Sequence, residues 1–354
     1  GIGYGYGAVG GIGVSVKRLG GLTFPQGENP VKDFIPVARI ADMLLSPGAP
    51  YDFNGESRRY PDIKLVYWCG GNPFHHHQDL NRLQKAFKEP DTIIVHEPWW
   101  TATAQRADIV FPATTPYERE DIGRAQGDAY LFHMPQMIPP VEESRNDYDI
   151  FSGLAERLGV SEVFTESRDS AQWQHYMYEA FEREARESGV DVPSFEELKQ
   201  SNWVELPIAG PEYSDTPFAD FRSDPQRFPL GTPSGRIEIY SSTIAGFNYP
   251  EDPGHPVWRP PVEWLGSDHA GQFPLHLVSP QPGDKLHSQL ECAIADRPGE
   301  RPAPLSINPV DAACRRITTG ALVRVFNDRG ACLARAVLTE SVRESVVVLP
   351  TGAW

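Results

Sequence analysis

Apolar residues between positions 63 and 113 form short continuous runs, separated by segments of helical spacing. The runs are IKLVYW from Ile63, TIIVHE from Thr92 and DIVFPAT from Asp108. Each run has the length of a strand and little alternation of apolar and polar residues, which is typical of parallel strands buried on both faces. Between them, QDLNRLQKAF and WTATAQRA are predicted to be helical. This alternation of strand and helix predicts parallel βαβ units and therefore an α/β fold.

The pattern changes after Pro274, where strand-like runs follow one another. They are LHLVS, PLSINP, ALVRVF, ACLARAVLT and VVVLP, with a short predicted helix in PVDAACRRI. NDRG, between two of these runs, predicts a hairpin turn, because Asn and Gly tolerate the backbone angles that such a turn needs. This part of the chain is predicted to form a small β-barrel domain, separate from the α/β part.

Further helices are predicted in PVARIADMLLS, DYDIFSGLAERLG and DSAQWQHYMYEAFEREARESG, the last as an ordinary surface helix with one aromatic side. Residues 201–267 are rich in Pro and have few periodic runs, which predicts a connecting region. The predicted domains are therefore 1–200, α/β and nucleotide-binding, and 268–354, the barrel. Because no initiator Met precedes GIGYGYG and the chain stops after a strand-like run, both are expected to be truncated pieces of a longer protein.

Composition narrows the class of protein. The 354 residues, 40% hydrophobic and 23% charged, fit a globular protein of about two domains. A formal charge of −16 without any run of Lys or Arg argues against nucleic acid or an anionic membrane as a partner. No apolar stretch reaches the ~18 residues of a membrane span. The 4 cysteines form no CxxC pair, so we expect buried or inert thiols rather than a zinc or iron–sulfur site.

The stretch VYWCGGNPFHHHQD at 66–79 ends the first predicted strand and begins a helix. Ligands of open parallel sheets bind at the carboxyl ends of the strands, and a helix N-terminus there favours an anion such as pyrophosphate. Gly71 would let the backbone approach a ligand closely. The second strand ends in His96 and Glu97, where an acidic side chain of a nucleotide-binding fold bonds a ribose hydroxyl. Nucleotide binding is predicted, although the absence of GxGxxG argues against ordinary NAD binding.

Three features have more than one interpretation. The histidines at 75–77 could bind metal, bond a ligand or cap a helix; metal is the least favoured, because consecutive side chains point in different directions. The glycines at 1–7 could form a phosphate loop or a flexible turn. Asp147 could accept the two parallel donors of guanine, or it could simply stabilise the start of a helix through the helix dipole.

Seven motifs follow one another along nearly the whole chain. They are CGGNPFHHHQDLNRL, EPWWTATAQRADIVFPATTPYERED, RNDYDIF, GTPSGRIEIYS, QPGDKLHSQLE, INPVDAA and LVRVFNDRGACLARAVLT. Together they resemble the molybdopterin oxidoreductases of the dimethyl sulfoxide reductase family, in the branch of the biotin sulfoxide, trimethylamine N-oxide and dimethyl sulfoxide reductases. The fold class that follows is α/β: a parallel-sheet nucleotide-binding domain, followed by a small β-barrel of the double-psi type.

The resemblance implies a bis(molybdopterin guanine dinucleotide) cofactor with molybdenum. In this branch the protein ligand of the metal is a serine that would lie upstream of Gly1, so this chain would contain neither a metal ligand nor a catalytic residue. A last cofactor-binding segment would follow Trp354. The implied reaction removes oxygen from a small S-oxide or N-oxide. This segment would hold the cofactor and be inactive by itself; the electron donor and the compartment, cytoplasmic or periplasmic, stay open.

Carried over position by position, the resemblance implies two groups of cofactor contacts. In the α/β part these are Gly71, Asn72, His76, His96, Glu97, Arg119 and Asp147. In the barrel part they are Ser279, Gln281, Lys285, His287, Ser288 and Gln289. Arg119 is expected to contact phosphate and Asp147 to recognise guanine. For Asp147, the resemblance therefore favours the guanine contact over a role at the start of a helix.

Some positions depart from the family pattern. Lys285 stands where arginine is common, which would replace a bidentate contact by a point charge. Gln105 and Arg106 replace an Arg-His pair, and Cys69 replaces a small residue; these differences favour the biotin sulfoxide type without fixing the substrate. Two alternatives are another class of dinucleotide-dependent oxidoreductase, which should have GxGxxG, and a non-catalytic nucleotide-binding fragment.

Overall fold

The computed structural model describes residue 19 and residues 22–124, 130–206, 218–283 and 302–351. They belong to two compact units, each built from two stretches of chain: Gly1–Lys32 with Phe111–Ile239, and Asp33–Val110 with Tyr240–Trp354. We call these the first and the second unit. The domain boundaries at 200 and 267 stay a prediction from the sequence.

The described elements alternate along the chain as follows. The strands are β1 (Pro50–Phe53), β2 (Glu56–Arg59), β3 (Leu65–Cys69), β4 (Thr92–His96), β5 (Ile109–Phe111), β6 (Asp121–Gly123), β7 (Tyr130–Met134), β8 (Trp203–Glu205), β9 (His276–Val278), β10 (Pro304–Ile307), β11 (Leu322–Phe326), β12 (Ala331–Leu338) and β13 (Val346–Val348). The α-helices are α1 (Ile40–Leu45), α2 (Pro73–His76), α3 (Leu80–Ala86), α4 (Asp147–Arg157), α5 (Ser161–Thr165), α6 (Ser170–Glu187), α7 (Phe195–Ser201), α8 (Ala219–Ser223), α9 (Ser242–Gly246) and α10 (Pro309–Cys314). The 3₁₀-helices are Val37–Arg39, Ala104–Arg106, Pro116–Glu118 and Asp268–Gly271.

The second unit contains the predicted βαβ sheet, in the order β3-β4-β5. β3 and β4 are parallel, with a register that runs from Leu65 opposite Thr92 to Cys69 opposite His96. The expectation that β3 is buried on both faces is wrong: Leu65 is 50% exposed and Cys69 is exposed. β3 is an edge strand of the described sheet, and an edge strand is covered on fewer sides than the central β4.

Helix α3 and the sheet share a core in the second unit. Leu83 and Ala86 on α3 pack with Phe74, Ile93 and Val95, all buried. The helix begins at Asp79, whose side chain accepts a hydrogen bond from the backbone N–H of Arg82 (3.1 Å) and satisfies one of the donors left open at a helix start. Of the apolar residues whose spacing predicted this helix, Leu83 and Phe87 are buried, whereas Leu80 is 39% exposed.

The second unit also contains the predicted strands of the C-terminal part. They form one mixed sheet in the order β11-β12-β10-β13-β9, with β10–β12 and β13–β9 parallel. The predicted NDRG hairpin is present, because β11 and β12 are antiparallel and the N–H of Asn327 donates to the carbonyl of Gly330 (3.0 Å). Leu305, Ile307 and Val347 lie in the core of this sheet.

The first unit is organised around helix α6. The aromatic side of α6, with Tyr178 and Phe181, packs against Leu131 of β7 and Leu198 of α7. The apolar periodicity identified the helix correctly, but the prediction of an ordinary surface helix is wrong. The aromatic side of α6 lies at the centre of the core of this unit. The antiparallel sheet β6-β7-β8, which also belongs to this unit, is absent from the sequence predictions; its strands span 3 to 5 residues and have little room for a pattern.

The described residues bear on the cysteines and on membrane-spanning helices as follows. The described cysteines, Cys69, Cys314 and Cys332, are free thiols and exposed, so of the expected alternatives, buried or inert thiols, burial is wrong for them and inertness stays a prediction; Cys292 lies outside the described residues. In the described ranges, every helix is too short or too polar to cross a lipid bilayer.

Candidate functional site

The turn after β3 is built on two glycines. Gly70 and Gly71 have φ angles of 74° and 83°, in the left-handed region that glycine adopts without steric cost. The chain then enters α2 through Asn72 and Pro73, with proline at the first helical position, where its missing N–H is no loss. Helix α2 has only 4 residues, so its dipole is small and does not provide the anion site expected from a longer helix.

Asn72 is the most deeply placed of the predicted contacts after β3. It is 3% exposed, and its Oδ1 accepts a short hydrogen bond from the hydroxyl of Thr103. Its Nδ2 is buried and has no hydrogen-bond partner among the described residues. A buried amide donor without a partner is rare in folded proteins, so Asn72 is suited to donate to an acceptor atom of a ligand.

The three histidines that follow have different surroundings. His76 is exposed, whereas His75 and His77 are half-buried. Burial lowers the pKa of His77, and a neighbouring charge on His76 lowers it further. Within the described ranges, no group of three or more His, Cys, Asp or Glu side chains is arranged to hold a metal ion.

The end of β4 lies at the same edge of the sheet as the Gly-Gly turn, because Cys69 and His96 are partners in the parallel register. His96 is 3% exposed, and its Nε2 is 2.7 Å from the hydroxyl of Tyr67 on β3. Glu97 is next; its two carboxylate oxygens accept from the N–H of Trp99 and the hydroxyl of Thr101, both at 3.3 Å. Asn72, His96 and Glu97 are therefore gathered at the carboxyl ends of two adjacent strands, where a nucleotide would bind.

Burial raises the pKa of Glu97 above its ordinary value, although the hydrogen bonds from Trp99 and Thr101 act in the opposite direction. Folding therefore disfavours the ionised form, and the stability of the cofactor-free protein should fall as the pH rises through the raised pKa. We expect Glu97→Gln to remove this dependence and leave stability at pH 7 unchanged or slightly higher, while cofactor retention decreases. Thermal unfolding of the cofactor-free protein between pH 4 and pH 8 measures the first effect. A loss of stability at neutral pH would contradict it.

Arg119 and Asp147 lie in the first unit, and Thr114 and Asn146 stand between them. The Arg119 guanidinium donates to the carbonyl of Thr114 (2.9 Å) and to Asp121 (3.1 Å). The Thr114 hydroxyl donates to Oδ1 of Asn146 (2.8 Å), and Asn146 is the residue before Asp147 at the start of α4. Hydrogen bonds thus connect Arg119 through Thr114 to Asn146, and Asp147, which is exposed, follows Asn146 directly in the chain.

The predicted contacts in the C-terminal part are only partly described. Ser279 and Gln281 are exposed and follow β9. Lys285, His287, Ser288 and Gln289 lie outside the described residues, as do the glycines at 1–7. A cavity of about 560 Å³ in the second unit lies against the five-stranded sheet, lined mainly by apolar side chains such as Phe273 and Phe326. Neither Ser279 nor Gln281 lines it.

Polar side chains are thus gathered at one edge of the parallel sheet, and comparison with protein families indicates the class of ligand. Residues 44–157 match the family model described as molybdopterin oxidoreductase, and residues 275–354 match the molybdopterin dinucleotide binding domain. The chain therefore belongs to the molybdopterin oxidoreductase family. These two matches indicate a molybdopterin guanine dinucleotide cofactor with molybdenum, and Asn72, with its buried unpaired amide donor, fits such a ligand.

Three curated relatives are 44–47% identical to this chain over the aligned residues. A biotin sulfoxide reductase of Cereibacter sphaeroides is 47% identical over 100% of this chain and 47% of its own length. A dimethyl sulfoxide/trimethylamine N-oxide reductase of the same organism is 46% identical over 90% of this chain and 39% of its own length. A trimethylamine-N-oxide reductase of Haemophilus influenzae is 44% identical over 91% and 40%, respectively. The chain spans less than half the length of each of these relatives.

Among solved structures, acetylene hydratase from Pelobacter acetylenicus has a similar fold. The TM-score is 0.60 over 83% of this chain and 38% of that protein, at 21% sequence identity. At this identity the similarity concerns the fold alone. It agrees with a mixed α/β chain that contains a parallel sheet.

Three residues that support the predicted contacts were not identified from the sequence. Thr103 bonds Asn72, Tyr67 bonds His96, and Thr114 connects Arg119 to the start of α4. Thr103 and Thr114 have buried hydroxyls and belong to the motif TATAQRADIVFPATT. A threonine near the end of a predicted buried strand is the signal that could have identified them, because a hydroxyl buried there needs a hydrogen-bond partner.

Proposed function

We propose that this chain is the cofactor-holding segment of a molybdenum-dependent oxidoreductase that removes oxygen from S-oxides or N-oxides. The observation that carries the proposal is the polar edge formed by Asn72, His96 and Glu97 at the ends of β3 and β4. The relatives named above support the substrate class, since each is named for reduction of a sulfoxide or an N-oxide. When bound, the cofactor would supply two-electron oxygen-atom transfer at molybdenum.

The residues of this chain would bind and orient the cofactor. Asn72 would donate its buried Nδ2–H, and Glu97 would accept from a ribose hydroxyl. Arg119 would contact phosphate, with its guanidinium already oriented by Asp121 and Thr114. Asp147, exposed at the first turn of α4, would accept the two donors of guanine. Gly71, His76 and His96 would complete the contacts of this part.

The C-terminal part would bind the second dinucleotide of a bis(molybdopterin guanine dinucleotide). We propose that the five-stranded mixed sheet belongs to a β-barrel of the double-psi type; its combination of parallel and antiparallel neighbours supports this. Ser279 and Gln281, together with Lys285, His287, Ser288 and Gln289, would form the segment around that pterin. The substrate would be a small molecule, with biotin sulfoxide, dimethyl sulfoxide and trimethylamine N-oxide as the candidates to assay.

The first test is the composition of the full-length protein, purified natively from cells supplied with molybdate. We expect about one molybdenum by elemental analysis and about two GMP after acid hydrolysis per polypeptide, as a cofactor with two nucleotide halves requires. Reduction of the three oxides with a viologen donor then ranks the substrates. A well-folded protein without molybdenum and GMP would contradict the proposal and favour a non-catalytic nucleotide-binding relative.

A further inference from the structure

We propose that Thr103 is a positioning residue, whose hydroxyl fixes the orientation of the Asn72 carboxamide so that Nδ2 is kept for the cofactor. The inference rests on the proposed function, because it assumes that Asn72 binds the cofactor. It adds a residue that makes no contact with the cofactor itself.

The hydroxyl of Thr103 has two partners in the second unit. Thr103 is 0% exposed, and its Oγ1 accepts from the backbone N–H of Phe74 (3.3 Å). Its single O–H proton is then directed to Oδ1 of Asn72, to which it donates in a short hydrogen bond. A hydroxyl has one donor and two acceptor sites, so this arrangement uses the proton on the carbonyl side of the amide.

The consequence for Asn72 is a choice between two amide orientations. Asn72 stands at the N-cap position of α2, but its side chain makes no cap hydrogen bond. With Oδ1 taken by Thr103, Nδ2 is left buried without a partner among the described residues. The reversed amide would satisfy Nδ2 on Thr103 but leave the threonine proton unpaired and offer Oδ1 to the ligand. Thr103 therefore selects a donor, which suits an acceptor such as a phosphate or pterin oxygen.

The backbone around Thr103 is held by its own contacts rather than by a ligand. Thr103 precedes the 3₁₀-helix Ala104–Arg106. The guanidinium of Arg106 lies 4.5 Å from the ring centroid of Phe74 and donates to the carbonyl of Ala102 (2.7 Å). These contacts fix the segment on α2, so the hydroxyl is preorganised beside Asn72 before any cofactor binds.

The test uses the full-length holoenzyme with Thr103→Val, Thr103→Ser, Asn72→Ala and the double variant Thr103→Val/Asn72→Ala. Valine has nearly the shape of threonine and lacks the hydroxyl, whereas serine keeps it. The rate at which purified protein loses its dinucleotide cofactor, below its unfolding temperature, measures cofactor retention; the cofactor still bound is quantified as GMP after acid hydrolysis of the protein fraction. A second measurement, thermal unfolding of protein from cells grown without molybdate, gives the stability of each variant without the cofactor. We expect Thr103→Val to lose bound cofactor about 3- to 10-fold faster, which corresponds to the loss of one net hydrogen bond, and Thr103→Ser to stay within about 2-fold of wild type.

The double variant separates positioning from packing. If Thr103 acts through Asn72, Thr103→Val adds less than about a 2-fold effect in the Asn72→Ala background. Equal losses for valine and serine, or the same effect of valine with and without Asn72, would overturn the inference. So would a Thr103→Val protein that is less stable without cofactor but retains GMP normally.

Two further results are distinguishable from these. Wild-type protein without GMP would overturn the proposed function, and this inference with it; wild-type retention together with normal retention in Thr103→Val would overturn the inference alone. If Thr103→Val does not accumulate, Thr103→Ala replaces it, and the inference then requires that Thr103→Ser retains GMP at least about 3-fold longer than Thr103→Ala.

Discussion

Replacing Asp147 by Asn in the full-length protein should weaken retention of the guanine nucleotide by about 100-fold, because a carboxylate accepts two parallel donors and a carboxamide accepts only one. The amide nitrogen of Asn would in addition face a donor of the base. Asp147 is exposed at the first position of α4, and Thr114 and Asn146 connect it to Arg119. The nucleotide still bound after extensive buffer exchange, quantified as GMP per polypeptide after acid hydrolysis, measures the effect.

The same helix provides a matched control. Asp149 also lies in the first turn of α4 and is exposed, so Asp149→Asn removes a similar interaction with the helix dipole. Its carboxylate accepts from Nδ2 of Asn146 (3.1 Å) and has no assigned contact with guanine. We expect normal nucleotide content for Asp149→Asn. Equal losses in the two variants would mean that Asp147 supports only the helix, which is the alternative interpretation of this residue.

Of the substitutions considered, Glu118→Gln should lower the free energy of unfolding most, by about 2–4 kcal/mol. It removes a buried negative charge that is surrounded by hydrogen-bond donors. Glu118 is 4% exposed. One carboxylate oxygen accepts from the hydroxyl and the N–H of Thr115, and the other from the N–H of Val141, all at 2.7 Å. The NH₂ group of Gln is itself a donor and would face the N–H and hydroxyl donors that the carboxylate accepts from. The urea midpoint of the cofactor-free protein, followed by tryptophan fluorescence, measures the loss.

The pH dependence of this site has a definite sign. The hydrogen bonds from Thr115 and Val141 lower the pKa of Glu118 below its ordinary value of 4.5. A lowered pKa in the folded state means that the stabilisation is complete above pH 4.5 and is lost as the pH falls through the folded pKa. Wild type should therefore lose more stability on acidification than Glu118→Gln, and parallel pH profiles would contradict the assignment.

Glu197 is the matched control for Glu118. It forms the same capping box with Ser194, whose N–H and hydroxyl both donate to it at 2.8 Å, but it is exposed. Because water replaces the lost hydrogen bonds at an exposed carboxylate, Glu197→Gln should shift the urea midpoint much less. Similar shifts in the two variants would mean that burial of Glu118 has little effect on its contribution. Because Arg119 follows Glu118 directly, Glu118→Gln also tests whether the capping box of Thr115 and Glu118 holds the predicted phosphate contact in place.

The site was predictable from the sequence to the extent that it depends on local pattern. Continuous apolar runs identified β3 and β4, and the carboxyl ends of parallel strands share one edge, so Asn72, His96 and Glu97 were expected together. The paired glycines were expected at a turn, and both have left-handed backbone angles. The helix predicted directly after them is only one turn long, since Asp79 starts a separate helix with its own cap.

The sequence by itself determined the α/β alternation, the NDRG hairpin and the edge that holds the candidate site, because each follows from spacing within a few neighbouring residues. Only the tertiary structure decided that β3 is an edge strand, that the aromatic side of α6 is a core, and that Thr103 orients Asn72. The last two residues are 31 positions apart. A hydrogen bond between residues so far apart depends on how α2 and the segment after β4 pack, and packing of that kind leaves no periodic signal in the chain.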